Sequence, residues 1–255
     1  MLHLARKIRG APVLATDGEI GAVEDFFFEE DRWTVRYLYV DTGRWLSGKR
    51  VVISPMSVTL PWNRSGVRVT LTRDQVWHSP EVQSDRLSRI SEAELLKYYG
   101  YPIYWGAGGV WGAFENPGAL VAQPVTPPPP AAPAGPAVDV DAQHLRSTNQ
   151  SIGYHLHAQD GEIGHVDDFV IGEESWRIRY LLIDTSNWIG GRSVVVLTDT
   201  VTRIDRERGL LHVDATREQI RNSGAFASIE AAVGPGGTGP PFGFFGQFAN
   251  RGRAY

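Results

Sequence analysis

One stretch of the sequence occurs twice. Asp17-Gly18-Glu19-Ile20-Gly21 runs on through Val23, Asp25 and Phe26 to Trp33 and Arg36-Tyr37-Leu38, and closes at Asp41-Thr42. Asp160-Gly161-Glu162-Ile163-Gly164 leads at the same spacings through Val166, Asp168, Phe169 and Trp176 to Arg179-Tyr180-Leu181 and Asp184-Thr185. The chain is therefore an internal duplication, and both copies must satisfy the same architecture. With 255 residues, each copy has room for one small domain.

Within a copy the elements are short and strand-like. Val13-Leu14-Ala15 precedes the Asp17-Gly18 turn signal. Ile20–Phe28 is dense in branched and aromatic residues, and Gly21 within it points to a bend or to another backbone packed close by. Trp33–Asp41 is the next strand. A tight hairpin at Glu30-Asp31 would set Asp25 opposite Arg36, and the same arithmetic sets Asp168 opposite Arg179, as cross-strand ion pairs. Val51-Val52-Ile53, Val58–Trp62 and Val67–Leu71 come next. Thr72-Arg73-Asp74-Gln75, and Thr216-Arg217-Glu218-Gln219 in the second copy, have the form of a helix capping box. Each copy thus reads as six short antiparallel strands closed into a small barrel and followed by a short helix, an all-β class.

Between and beyond the copies the composition shifts. Ser91-Glu92-Ala93-Glu94 reads as a third capping box, opening a helix that ends before Gly100 and leads into the aromatic run Tyr98–Trp105. The expected boundaries are a first barrel at 1–80, a helical aromatic extension at 81–105, a Pro/Ala/Gly-rich linker at 106–143, a second barrel at 144–226 and a disordered Gly/Pro-rich tail at 227–255. In polyproline II form, at ~3.1 Å per residue, Pro124–Pro136 would be a semi-rigid spacer on the order of 40 Å long.

The totals exclude several classes. Net charge is −4 and the sequence pI is near 6, so nothing draws the chain toward DNA or an anionic membrane. Without cysteine there are no disulfides, thiolate metal sites or cysteine nucleophile. Arg6 and Lys7 interrupt the apolar N-terminus, and no run approaches the roughly 20 apolar residues of a membrane span. Neither Gly-x-Ser-x-Gly nor a phosphate-binding Gly-x-x-x-x-Gly-Lys-Ser/Thr loop is present. The expectation is a soluble, cytoplasmic, bacterial-type protein that is not an enzyme and holds no cofactor.

The doubled Asp-Gly-Glu-Ile-Gly-x-Val-x-Asp-Phe string, the Arg-Tyr-Leu strand with its closing Asp, and the Val-Val-Ile strand resemble a PRC-barrel domain. That is the barrel of the cytoplasmic part of the photosynthetic reaction-centre H subunit and of a ribosome-maturation factor of the small subunit. The resemblance covers about Leu4–Pro80 and Leu145–Gly224, and Ser91–Trp105 is similar to the segment after the barrel in the H subunit. It implies a six-stranded barrel acting as an adaptor, with no shared catalytic motif to transfer. No counterpart of the H subunit's transmembrane helix or of the maturation factor's RNA-associated domain is expected in these 255 residues.

Four groups of side chains are candidates for function. Trp45 and Trp188, at matched positions in loops, are either partner anchors or the closure of their own barrels. Tyr99, Tyr101 and Trp105 either form a peptide-docking surface or pack on a barrel. His155 and His157 share a strand face near His165, Asp160 and Glu162, which could form a zinc or nickel site; the plainer reading is exposed histidines. Asp25 with Arg36, and Asp168 with Arg179, are structural. The function expected is a tandem adaptor for an unidentified protein partner, gaining avidity from two modules. Alternatively the copies pack on each other or the chain forms homo-oligomers. The rival functions are an RNA- or ribosome-associated factor and a metal-binding protein.

Overall fold

A computed structural model describes residues 1–43, 45, 46, 48–80, 87–106, 108–122, 144–185 and 193–222. Trp188, the Pro-rich stretch 123–143 and the tail 223–255 lie outside the described residues. Repeat one contributes β1 (Leu2–Leu4), α1 (Ala5–Ile8), β2 (Pro12–Ala15), β3 (Gly18–Glu29), β4 (Thr34–Asp41), β5 (Arg50–Ile53), β6 (Val67–Arg68) and α2 (Arg73–Trp77). The segment after it carries α3 (Arg89–Tyr99) and α4 (Pro117–Val121). Repeat two contributes β7 (Leu145–Ser147), α5 (Thr148–Ser151), β8 (His155–Ala158), β9 (Gly161–Gly172), β10 (Ile178–Asp184), β11 (Ser193–Leu197), β12 (Val201–Asp205), β13 (Leu210–Val213) and α6 (Arg217–Arg221).

These strands form two mixed sheets. One takes the path β5-β4-β3-β2-β6 and the other β11-β10-β9-β8-β13-β12. The expected all-antiparallel pairing is corrected, and of the expected closure the described residues show the strand paths alone. The β2–β6 and β8–β13 pairings are parallel, and both strand paths are open among the described residues. Repeat one also lacks an equal of β12. Pro61 stands where repeat two has Ile204, and the expected strand Val58–Trp62 is reduced to a single bridge, Val58 to Val69. Proline brings no N–H to a ladder, which accounts for the lost strand.

By contact, the chain divides into two compact units that do not coincide with the repeats. The described residues within Lys7–Asn149 and Glu173–Arg177 make one, the repeat-one unit; those within Met1–Arg6, Gln150–Gly172 and Ile178–Tyr255 make the other, the repeat-two unit. The twelve-residue strand β3 explains the exchange. Along one edge β2 pairs only with its first part, Gly18–Ala22. Phe27–Glu29 would be left with open backbone, and β7 pairs there antiparallel, Phe27 with Ser147 and Glu29 with Leu145. In the repeat-two unit β1 does the same for β9, Leu4 with Val170 and Leu2 with Gly172. Each sheet is therefore completed by a three-residue arm from the other repeat.

The hairpin register departs from the sequence expectation, for a local reason. Glu29 pairs with Thr34, and Asp25 lies opposite Tyr39 rather than Arg36. The loop runs over four residues and contains Trp33 at φ 47°; Trp176 repeats this at φ 59°. A left-handed residue after the turn lengthens the loop and shifts all pairs behind it. A β-bulge then sets Arg36 between the Phe27–Tyr37 and Phe28–Val35 pairs, and Arg179 occupies the matching bulge between Ile178 and Tyr180.

Other expectations hold. A Cβ on Gly21 would lie 2.1 Å from the Asp41 carbonyl oxygen, and one on Gly164 would lie 2.0 Å from that of Asp184. Glycine is required because a neighbouring backbone occupies the side-chain position. The Thr72/Gln75 and Thr216/Gln219 capping boxes both form. The third does not: α3 starts one turn early, with Ser88 as its N-cap, and Glu92 is buried. Residues 108–122, expected as linker, are folded, with Trp111 fully buried and α4 capped by Asn116.

The exchange makes a direct prediction. Cleavage of the folded protein at a protease site engineered into residues 123–143 leaves both fragments contributing to both units. The fragments should co-elute in native gel filtration and part only in denaturant; independent elution would contradict the pairing of β1 with β9 and of β7 with β3.

Candidate functional site

The repeat-one unit carries a feature that repeat two lacks, and it begins with a buried arginine. The bulge turns the Arg36 side chain inward, where it is 1% exposed. A buried guanidinium requires an anion and ring faces or carbonyls around it. Glu29, at the end of β3, supplies the anion: Arg36 Nη2 donates to Glu29 Oε2 at 2.6 Å and Nε to the same oxygen at 3.1 Å. The faces come from the segment after α3, with the Tyr104 ring 4.1 Å and the Trp111 ring 4.6 Å from the guanidinium carbon.

The cluster continues onto α3. Arg89 Nη2 donates to the other Glu29 oxygen at 2.5 Å, and Arg89 Nη1 to Glu92 Oε2 at 3.1 Å. The Tyr104 hydroxyl donates to Glu92 Oε1 at 2.5 Å and accepts from Arg89 Nη1 at 2.9 Å. His144 Nε2 lies 2.6 Å from Glu92 Oε2. Burial alone would push the Glu29 carboxyl up; Arg36 and Arg89 outweigh it and hold Glu29 below the usual carboxylate range. Burial, with Glu92 next, pushes the Tyr104 and Tyr37 hydroxyls well above the usual phenol range.

This cluster and an apolar one fasten the extension to its sheet. Leu87 and Leu95 pack with Phe27, Tyr37, Val52 and Leu145. The Trp111 indole N–H donates to the Ser175 carbonyl at 2.8 Å, and that of Trp62 to the Glu173 carbonyl at 3.0 Å. Trp62 also stacks on Trp176 at 4.4 Å.

The outer side of α3 is different in character. Arg89, Ile90, Ala93, Glu94, Lys97 and Trp105 line an open cleft of about 380 Å³. Ile90 and Ile103 are each 52% exposed. Trp105 is half-buried, with the Arg89 guanidinium 4.7 Å from its ring.

The aromatic candidates therefore separate. Trp105 stays at the cleft. Tyr99 turns inward against the sheet's apolar cluster, and burial pushes its hydroxyl up to about 12. Tyr101 stacks on Tyr99, and burial raises its hydroxyl as well. Trp45 is half-buried, between the Arg73 guanidinium at 4.7 Å and Trp77 at 6.0 Å.

The expected ion pairs are corrected. Asp25 accepts from Ser147 Oγ, from Thr148 Oγ1 at 2.6 Å and from the Asn149 N–H at 3.1 Å, while Arg36 goes to Glu29. Asp168 faces Leu182 across the ladder and accepts from the Arg6 N–H at 3.2 Å; Arg179 is exposed. Glu29 and Glu92 were missed as site residues. The signal was available for Glu29, whose counterpart is Gly172: at that position the second copy has no carboxylate.

The histidines gather on the exposed strands of the repeat-two unit. His155 pairs with His165 across the ladder, His155 Nδ1 is 2.6 Å from Glu162 Oε1, and His157 Nε2 is 4.0 Å from Glu162 Oε2. Among the described residues no group of three or more His, Cys, Asp or Glu side chains is arranged to hold a metal ion. Nor is any described helix long and apolar enough to cross a membrane.

Two measurements check the cluster. Arg36→Ala should cost about 3–5 kcal/mol by chemical denaturation, because a carboxylate loses its buried partner. The equivalent Arg179→Ala should stay within about 0.5 kcal/mol. Glu29 has a folded pKa below its unfolded one, so its contribution is present above about pH 4.3 and lost as pH falls through the folded value. Denaturation midpoints from pH 6 down to about pH 2.5 should fall less steeply for Glu29→Gln than for the parent.

The sequence model of the PRC-barrel domain matches residues 2–71 and 156–220, more than half of the chain. The two matched stretches leave out the extension at 87–122. No curated protein matches the chain. The duplicated string, the two sheets and this pair of matches agree, and the chain belongs to the PRC-barrel domain family, with two copies of the domain.

Proposed function

We propose that the protein is a non-enzymatic adaptor that binds a protein partner through the outer side of α3 and the segment after it. The observation behind this reading is the cleft lined by Ile90, Ala93 and Trp105, with Ile90 52% exposed. Large apolar side chains gathered in water, with a rim of charges, are the usual anatomy of a docking patch. Here the exposed charges are Glu94 and Lys97. Such a surface suits a segment that offers one apolar side chain with charged neighbours.

The rigidity of the patch supports the same reading. Arg89 is fixed by Glu29, Glu92 and Tyr104 on its inner side, and its guanidinium faces Trp105. A side chain held in place before binding loses less entropy on association. PRC-barrel domains often serve in protein contacts, which agrees with an adaptor role. The expectation of two equal modules is narrowed, because among the described residues the extension follows repeat one.

The test is capture from native lysate on the full chain, with Ile90→Asp and Trp105→Ala as matched baits and mass spectrometry as readout. A partner held by the parent and reduced at least about tenfold on both variants, at unchanged melting temperature, supports the reading. Equal recovery on all three baits would remove the α3 face as the docking site.

A further inference from the structure

The two arms occupy equivalent positions, yet their chemistry differs residue by residue. Leu4 ends the first arm and Ser147 the second, and the residues that follow, Ala5 and Arg6, correspond to Thr148 and Asn149; the arms are taken here with those two residues, as 2–6 and 145–149. The strands that receive them differ in a complementary way. Ser147, the small residue, pairs with the large Phe27, which meets Tyr39 edge-on at 5.3 Å. Leu4, the large residue, pairs with the smaller Val170 and fills a cluster with Leu182 and Val195. Within each pair, one large side chain is matched with one small.

Hydrogen bonding obeys the same rule. Asp25, 4% exposed, accepts from both arm hydroxyls, Ser147 and Thr148, as well as from the Asn149 N–H. Arg9 Nη2 adds a bond to Thr148 Oγ1 at 2.9 Å. At the other site Asp168 takes from the arm the Arg6 N–H at 3.2 Å and the Arg6 Nε at 3.4 Å; Leu4 and Ala5 have no hydroxyl to offer. The counterpart of Arg9 is Ile152. Arm one placed on repeat one would set Leu4 against Phe27 and deprive a buried carboxylate of two donors. Arm two placed on repeat two would leave a void beside Val170.

We propose that the two strand edges are recognition sites of opposite specificity: the Asp25–Phe27 edge selects a hydroxyl-bearing Ser-Thr segment, the Asp168–Val170 edge selects an aliphatic Leu-Ala segment, and each repeat is thereby closed only by the arm of the other. This is β-augmentation within one chain, in which main-chain bonds supply affinity and two side-chain positions supply selectivity. The rule works against either arm folding back onto its own repeat, and against promiscuous strand exchange between molecules.

Hydrogen exchange on the full-length protein tests it, read at the amides of 145–149 and 2–6. Ser147→Leu should speed exchange across 145–149 by about tenfold or more, and adding Phe27→Val should bring the rate back to within about threefold of the parent. A Phe27→Val change that adds its own acceleration to that of Ser147→Leu would overturn the size rule. Asp25→Asn, which preserves volume, should loosen 145–149 and leave 2–6 protected, with Asp168→Asn giving the mirror result. If either variant loosens both arms or neither, the specificity proposal fails.

Discussion

A long β-strand with a half-covered edge makes a demand that the rest of this structure meets. In both units the central strand runs for twelve residues, and the short strand before it covers only the first part of one edge. The uncovered backbone groups must find partners, because a buried donor or acceptor without one costs about 1–3 kcal/mol. The arm from the other repeat meets that demand, and the aspartate two residues before the paired segment of the receiving strand fixes where the arm arrives. Local backbone need has in this way become a rule of chain organisation: neither unit is assembled from one repeat alone.

Duplication supplied two equal frameworks, and the differences between them show where each is specialised. The bulge that carries an arginine is present in both. With Glu29 beside it and an extension that brings Tyr104 and Trp111, Arg36 is buried. With Gly172 in place of the carboxylate, Arg179 stays in water. A carboxylate at the end of a strand, together with the rings of the extension, separates a structural ionic core from a surface charge. The arms differ as their sites do, Ser147 pairing with Phe27 and Leu4 with Val170.

The extension ties buried chemistry to surface. Its inner side is fastened by charge-assisted bonds and by the Trp111 indole N–H donating to a carbonyl, which orient the segment more narrowly than apolar packing would. Its outer side leaves Ile90 in solvent at the cleft that Trp105 also lines. Tyr99 and Tyr101 look equivalent to Trp105 in composition, but Tyr99 packs against the sheet's apolar cluster and Tyr101 stacks on Tyr99.

The sequence by itself determined the duplication, the family, the strand-rich architecture, the two capping boxes and the glycines at 21 and 164. These are local or periodic signals: a turn dipeptide, an alternation, a cap, a position without room for a Cβ. Only the tertiary structure decided the hairpin register, the fate of the two arginines, the inward turn of Tyr99 and Tyr101 and the exchange of the arms. Register depended on Trp33 and Trp176 adopting positive φ, which nothing in their side chains announces. The arms are not legible in the sequence because three residues hold too little pattern to mark a strand, and their partners lie more than a hundred positions away along the chain. Pairing over such distances is set by which edge is left open once the local elements have formed, and that is a property of the assembled sheet.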